Sequence, residues 1–303
     1  MLCPPETLKS FTPRWPVRVL HTLYRIDRRE ALNCAAHRAE VQGTGQEIAA
    51  QLKQATNGLK AAGIDVETGT VDYPALANSE AYRAYTAATA ALCDYDPASL
   101  TSDDERLAFW LNLYNALVIH AVIAVGVRER VTEARGFFER AAYIVNGYRL
   151  SADDIEHGIL RANAGHPFLP GRQFGPHDPR RAMRLPQRDP RLHFALNCGA
   201  TSCPPISFYS AENLDAQLDL AARNFLNGGG ARLERKNGVL WLSRIFSWYA
   251  TDFGAALYGY RGQHRLLAYV RPYLNDEADQ AYLDDHATTL RVRFLPYDWS
   301  LNR

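Results

Sequence analysis

The spacing of apolar and polar positions predicts one long buried helix in the first half of the chain. Ser102-Asp103-Asp104-Glu105 has the form of a capping box, in which a serine hydroxyl and a glutamate carboxylate each bond an unpaired amide at a helix start. The helix should run to about Val125, with apolar positions at Leu107, Trp110, Leu111, Tyr114, Val118 and Ala121. This apolar surface is too broad for a solvent-facing helix. We expect the helix to be buried and to pack on the sheet that carries His193.

Two further segments show helical patterns. An amphipathic helix places Ile48, Leu52, Leu59 and Ala62 near one face, with Gly63 at the expected end. A second helix starts at Ser151 and carries Glu156 and His157.

Strand patterns come later in the chain. The segment Arg232–Ser243 is a predicted hairpin, because it contains the Asn-Gly dipeptide that tight β turns favour. Short strands are predicted at Leu192–Leu196 and Leu290–Leu295. Helices early and strands late predict an α+β fold, with helices packed on a small antiparallel sheet.

The pattern changes in character near residue 75. Residues 1–75 are polar and show few regular apolar patterns, whereas the clearer helix and strand patterns lie in residues 76–303. We therefore expect a helical N-terminal lead-in, 1–75, packed on a main domain, 76–303.

Composition narrows the class of protein. The chain of 303 residues has a net charge of +1, which favours neither nucleic acid nor anionic lipid as a partner. Its longest apolar run, 116–127, is shorter than the ~20 residues of a membrane span. Its first residues lack the apolar core of a signal peptide. An odd number of scattered cysteines, five, fits reduced thiols and a cytoplasmic protein. From the charge and the lack of a spanning segment we expect no nucleic-acid or membrane partner.

The residue types that carry chemistry concentrate around His193, Cys198 and Cys203, which fall within eleven residues. A thiol catalytic site needs a thiolate, an imidazole that holds or takes its proton, and a third group that orients the imidazole. An odd spacing would place His193 and Cys198 on opposite faces of a strand, unless the strand ends at Gly199. The other candidate imidazole is His157, with Glu156 or Asn115 as its orienting group.

Burial offers a plainer interpretation of several of these residues. Free cysteines are among the most buried residues, so Cys198 could simply pack. Asn112 and Asn115 could satisfy buried backbone groups. Cys3, Cys34 and Cys93 have no reactive neighbours in the sequence, and we expect them to be inert.

An arginine- and proline-rich segment, 163–190, precedes the histidine. Arg184, Arg188 and Arg191 are predicted to bind an anionic group of a ligand, because a guanidinium pairs well with a carboxylate or phosphate. The alternative is a solvated loop whose arginines only keep the protein in solution.

Several blocks of sequence resemble a known family. They are Phe109–His120, Leu150–Arg161, His193–Pro204, Leu242–Phe253 and Tyr297–Asn302. In this order they are similar to the family called domain of unknown function 547, over roughly residues 81–302. The resemblance implies a distant relation to papain-like and transglutaminase-like thiol enzymes. In those folds the nucleophile opens the central helix, whereas the predicted helix here has no cysteine.

These observations favour a cysteine-dependent acyl transferase or hydrolase that acts on an amide, thioester or isopeptide of a small molecule or peptide, without a cofactor or metal. Two alternatives remain open. One is a zinc site of Cys198, Cys203, His193 and His157, although this spacing meets the usual zinc pattern only at its limit. The other is a binding or scaffold module without turnover.

Overall fold

The computed structural model of this chain describes residues 2–34, 45–65 and 68–303. Their contacts divide into two compact units. The first unit comprises Met1–Arg188, Leu196–Leu214 and Trp299–Arg303, and the second comprises Asp189–Ala195 and Asp215–Asp298. The described residues before position 75 thus lie in the same unit as those that follow it up to 188. The boundary at residue 75 stays a prediction.

Six α-helices belong to the first unit among the described residues. They are α1 (Trp15–Tyr24), α2 (Gly45–Gly63), α3 (Tyr73–Asn78), α4 (Glu80–Ala88), α5 (Asp103–Val125) and α6 (Phe137–Arg140). A π-helix, Asp154–Leu160, follows them and takes the place of the α-helix predicted from Ser151.

Helix α5 confirms the predicted capping box. The Ser102 hydroxyl accepts the Glu105 amide proton at 3.1 Å, and the Glu105 carboxylate accepts the Ser102 amide proton at 2.9 Å. The helix ends at Gly126, which adopts the left-handed conformation. Thirteen of its 23 residues are buried, which confirms a core helix. Its length and hydropathy would also suit a membrane span, but 72% of its most apolar window is buried inside the protein.

Helix α2 confirms the predicted amphipathic helix. Ile48, Leu52 and Leu59 are buried along one face. Ala62 is exposed, contrary to the prediction. Gly63, one position further, packs closely against Leu76 of α3. A Cβ atom at this position would lie 3.1 Å from the Leu76 Cβ.

An unpredicted hairpin also lies in the first unit. Strands β1 (Ala142–Val145) and β2 (Tyr148–Ser151) pair antiparallel through a turn at Asn146-Gly147, where both residues have positive φ. Every residue of β1 is buried. The alternation that marks a half-buried strand is therefore missing from its sequence.

The second unit contains helices and a three-stranded sheet. The helices are α7 (Leu214–Phe225, from its second residue), α8 (Ile245–Trp248), α9 (Gln263–Val270) and α10 (Glu277–Asp285). The sheet has the order β3 (Ala231–Glu234), β4 (Val239–Leu242) and β5 (Arg291–Phe294). The β3–β4 hairpin confirms the predicted one, and a 3₁₀ turn ending at Gly238 joins its strands.

The α+β class is confirmed. The two hairpins are antiparallel as expected, whereas β5 pairs with β4 in parallel. The sheet of the second unit is therefore mixed.

The strand predicted at Leu192–Leu196 is wrong. Pro190–Phe194 form a 3₁₀ helix, whose N-cap carboxylate, Asp189, accepts the Arg191 amide proton at 2.9 Å. An acidic N-cap followed by proline at the first position is a helix-start signal, and here it outweighs the apolar run behind it. His193 consequently lies on a helix, and the expected packing of α5 on a sheet containing His193 is wrong as well.

Candidate functional site

The cysteine loop, residues 197–203, lies in the first unit. Cys198 and Cys203 form a disulfide with a Cα–Cα distance of 6.2 Å. The chain reverses at Gly199, with φ 81°, and the Cys203 amide donates to the Ala200 carbonyl at 2.9 Å. The Cys198 amide also donates to the Cys203 sulfur at 2.9 Å. A tight turn thus brings both candidate nucleophiles together, with a backbone N–H directed at one of them.

Disulfide pairing differs from the reduced thiols expected from the sequence. Cys3 and Cys34, expected to be inert and separate, also form a disulfide, with a Cα–Cα distance of 5.1 Å. Both Cα distances lie in the range that a disulfide requires. Cys93, outside both pairs, receives the Asn33 side-chain N–H at 3.8 Å.

Two asparagines of α5 form hydrogen bonds with the backbone of the cysteine loop and of the residues that follow it. Asn115 accepts the Asn197 amide proton at 2.9 Å and donates to the Ser207 carbonyl at 3.0 Å. Asn112 bonds both the amide and the carbonyl of Tyr209, at 2.7 and 2.8 Å. These side chains pair with backbone amides and carbonyls, as the backbone of a neighbouring strand would. The geometry therefore supports the backbone-satisfying role for both asparagines, and the orienting role of Asn115 stays a prediction.

Within the loop, Asn197 supplies a further set of bonds. It is 2% exposed, accepts the Gly199 amide proton at 2.7 Å and donates to the Pro204 carbonyl at 2.6 Å. The loop is consequently fixed on both sides of the disulfide.

His193 lies in the second unit and is paired with a carboxylate. Its Nε2 lies 2.9 Å from an Asp252 carboxylate oxygen, and the two side chains are 2% and 1% exposed. Its ring stacks on Tyr249 with centroids 4.0 Å apart. An ionised carboxylate can only accept, so Nε2 carries the proton and the basic lone pair of a neutral ring is on Nδ1. The bond to Asp252 and the stacking on Tyr249 therefore fix the orientation of the His193 ring.

Asp252 was missed in the sequence. It lies 59 residues from His193, in a segment, Trp248–Phe253, noted only for its resemblance to the family. A lone aspartate within an aromatic run is the one local signal that could have indicated it, since a buried carboxylate needs a partner.

His157, the other candidate imidazole, lies in the first unit and has a different partner. The Arg161 guanidinium donates to its Nδ1 at 3.1 Å. The Glu156 carboxylate is 3.6 Å from the same nitrogen, beyond hydrogen-bond distance, and accepts from the Tyr114 hydroxyl at 3.1 Å. Glu156 thus lies close to the His157 ring, and its orienting role stays a prediction. The i,i+4 spacing of His157 and Arg161 was the available signal.

A possible ligand set for a metal ion surrounds His157. Among the described residues one group of at least three such side chains converges, namely Asp153, His157 and His166, with ligand atoms within 4.8 Å of one another. The sequence predicted neither Asp153 nor His166. Burial, followed by the charge of Arg161, lowers the pKa of His166 to about 4, and burial raises the pKa of the Asp153 carboxyl well above its usual range.

The hydrogen bonds of this group do not suit a metal ion. Arg161 donates to Nδ1 of His157, and the Phe168 amide donates to Nδ1 of His166 at 3.1 Å. Both donors place the ring proton on Nε2, where a metal would need a lone pair. A permanent guanidinium cation at this position opposes a metal cation as well. The Cys198–Cys203 disulfide also removes both thiolates from the zinc set considered from the sequence.

The predicted anion-binding arginines differ in their surroundings. Arg191 bonds Asp189, Asp219 and Asp215 at 2.7, 2.7 and 2.8 Å, and these contacts, the Asp189 bond first, raise the pKa of its guanidinium. Three carboxylates around one cation leave a net negative group, which does not suit an anionic ligand. Arg184 and Arg188 are exposed, and their role stays a prediction.

Comparison with known proteins gives one family. The model of a family described as a protein of unknown function, DUF547, matches residues 97–226. That range contains α5, the π-helix, His193 and the cysteine loop, whereas the blocks Leu242–Phe253 and Tyr297–Asn302 lie beyond it. No curated protein and no solved structure matches the chain, so the relation to papain-like enzymes stays a prediction. Residues 97–226 of this chain therefore belong to the DUF547 family, as their motifs indicated.

Proposed function

We propose that this chain is a cysteine-dependent acyl transferase or hydrolase that acts on an amide, thioester or isopeptide of a small molecule or peptide. The observation that carries the proposal is the contact of 2.9 Å from the Cys198 amide to the Cys203 sulfur. An N–H directed at sulfur favours the thiolate over the thiol, and the thiolate is the nucleophile. We therefore assign Cys203 as the nucleophile.

The proposed reaction requires a reduced loop, because a sulfur in a disulfide cannot attack a carbonyl. A dithiol reductant first converts the Cys198–Cys203 disulfide to two thiols and is itself oxidised to a disulfide. The Cys203 thiolate then attacks the carbonyl carbon and forms a thioester. The bond from that carbon to the leaving amine or thiol breaks, and the leaving group takes a proton from solvent. Water or an acceptor amine next attacks the thioester and loses one proton to solvent, while the carbon–sulfur bond breaks and releases the Cys203 thiolate.

Two histidines are candidates for the imidazole of the proposed reaction. His157 lies in the same unit as Cys203, and the Glu156 carboxylate is 3.6 Å from its Nδ1. His193, bonded to Asp252 and stacked on Tyr249, is held in one orientation in the second unit. The acylation experiment includes both histidines.

The test compares cysteines within the reduced protein. Iodoacetamide labelling after dithiothreitol treatment, followed by peptide mass spectrometry over a pH series, should show Cys203 labelled fastest, with a thiol pKa below that of Cys93. Cys198→Ser is the matched variant, because it keeps the backbone N–H and removes only the second sulfur. It should preserve the fast labelling of Cys203.

Acylation provides the second measurement. A panel of a peptide thioester, an amide and an isopeptide should give a covalent acyl adduct on reduced wild-type protein and on Cys93→Ser, but none on Cys203→Ser. His157→Gln and His193→Gln are each compared with wild type, and the variant of the imidazole that takes part should slow adduct formation beyond its effect on thermal stability. Equal labelling of Cys203 and Cys93, together with no adduct from any panel member, would show that the proposal is wrong.

One observation favours a second candidate, a binding or scaffold module. Both candidate nucleophiles are joined in a disulfide, which suits a structural cross-link of the loop. In that case reduction would lower the stability of the first unit, and neither thiol would react faster than Cys93.

A further inference from the structure

Helix α1 of the first unit carries a row of exposed apolar side chains. Trp15, Val19 and Leu23 are 70%, 37% and 67% exposed, and each lies four positions from the next along the helix. Residues at this spacing lie on the same helix face, so the three side chains form one apolar stripe on the protein surface. Single exposed apolar residues are ordinary, whereas a contiguous exposed group of them marks a binding surface.

The opposite side of α1 is fixed to the rest of the first unit. Val17 is buried, and Nε2 of His21 lies 3.0 Å from a Glu139 carboxylate oxygen of α6. The Arg140 guanidinium, from the same helix, donates to the Tyr24 carbonyl at the end of α1. These contacts hold α1 in place, so the helix cannot turn its apolar stripe inward.

Three arginines lie beside this stripe. Arg18 lies within α1, Arg25 ends the helix and Arg28 follows it, and all three side chains are exposed. Among the residues that the structure describes, none of the three forms an ion pair. The acidic side chains nearby are already paired: Asp27 with Arg29, Glu30 with Arg140, and Glu139 with His21. An excess of positive charge therefore borders the stripe, and the net charge of +1 for the whole chain conceals it.

This combination suits the surface of an anionic lipid bilayer. Apolar side chains enter the boundary of the acyl chains, tryptophan favours the level of the headgroups, and arginines pair with anionic headgroups. A second copy of the chain suits the stripe less well. A symmetric dimer through this face would bring the same arginines of both copies together, without acids to separate them.

We propose that α1 binds the surface of a bilayer that contains anionic lipid, with Trp15, Val19 and Leu23 in the interface and the three arginines at the headgroups. The helix lies along the bilayer surface and does not cross it. The proposal involves no residue of the cysteine loop and does not rest on the proposed function.

The first test is sedimentation of the full chain with vesicles. Vesicles of phosphatidylcholine and phosphatidylserine, mixed three to one, should bind the protein more tightly than vesicles of phosphatidylcholine alone. We expect Arg18→Gln and Arg28→Gln each to weaken binding to the anionic vesicles by about 5-fold, and Leu23→Ser by about 10-fold or more. Tyr260→Ser and Arg261→Gln, at exposed positions of the second unit, are the matched controls and should bind as the wild type does.

Tryptophan fluorescence provides the second test. Trp15 is exposed, whereas the other four tryptophans are buried or half-buried. Anionic vesicles with brominated acyl chains should therefore quench Trp15 rather than the others. Trp15→Phe keeps an apolar ring, so it should still bind the vesicles but lose the quenching. Trp15→Ser should weaken the binding as well.

Several results would overturn the proposal. One is no binding to anionic vesicles, or equal binding to neutral ones. Another is quenching of the wild type that persists in Trp15→Phe. A dimer in sedimentation velocity without lipid that Leu23→Ser dissociates would assign the stripe to a second copy of the chain. Equal affinity for soluble polyglutamate would assign it to an acidic polypeptide instead of a bilayer.

Discussion

Replacing Asn115 by Ala tests whether α5 holds the cysteine loop. Asn115 is 1% exposed and bonds two backbone groups, the Asn197 amide and the Ser207 carbonyl. An alanine would leave both without this partner. An unsatisfied buried polar group costs about 1–3 kcal/mol, and the Ser207 carbonyl is only partly buried, so we expect a total loss of about 2–4 kcal/mol.

The assay combines two measurements on this variant. Urea denaturation gives the change in unfolding free energy, and hydrogen exchange shows where protection is lost. We expect faster exchange at the Asn197 amide and its neighbours, with α9 in the second unit unchanged.

Asn112→Ala is the matched control for Asn115→Ala. It removes an equivalent pair of bonds, to the Tyr209 amide and carbonyl, at a half-buried position where water can replace them. Its loss should be clearly smaller. A loss below about 1 kcal/mol for Asn115→Ala, or unchanged exchange at Asn197, would refute the assigned role of this side chain.

Three further predictions follow from other sites. Burial lowers the pKa of His120 to about 4, so as the pH falls from 6.5 toward 4 only the unfolded chain gains this proton, and stability should fall by about 3 kcal/mol across that window. His120→Gln should flatten that part of a denaturation series over pH, and an unchanged slope would contradict the reasoning. Arg180→Met should lower the free energy of unfolding by about 3–5 kcal/mol, because it leaves two buried carboxylates without their cation. In the wild type, the Asp154 and Asp178 carboxylates lie 2.7 and 2.9 Å from this guanidinium. A loss below about 1 kcal/mol in calorimetric unfolding would disprove this. Gly199→Ala should destabilise the loop by about 1–2 kcal/mol, since φ is 81° and the new Cβ would lie 3.1 Å from Val131. Thiol titration of this variant should show slower re-formation of the Cys198–Cys203 disulfide. An unchanged rate would argue against strain in the turn of the variant.

Local signals predicted much of the fold. The capping box marks the start of α5, and the Asn-Gly pair marks the β3–β4 hairpin. The failures also have local causes. Strand β1 is buried at every position and so lacks alternation, and the Asp189-Pro190 helix start prevails over the apolar residues after it.

The candidate site was less predictable than the fold. The sequence indicated His193, Cys198 and Cys203, because reactive residue types are rare and here lie close together in the chain. It did not indicate that the two sulfurs are joined, which depends on the turn at Gly199. It did not indicate Asp252 either, which reaches His193 only through the folding of the second unit.

The sequence by itself determined the α+β class, helices α2 and α5, the β3–β4 hairpin and the family of residues 97–226, because these depend on short-range periodicity, caps and motifs. Only the tertiary structure decided which groups meet: Arg161 with His157, Asp252 with His193, and Asn115 with the backbone at Asn197. The direction of a side chain and its partner depend on packing between distant segments. A pattern read along one segment carries no information about that packing.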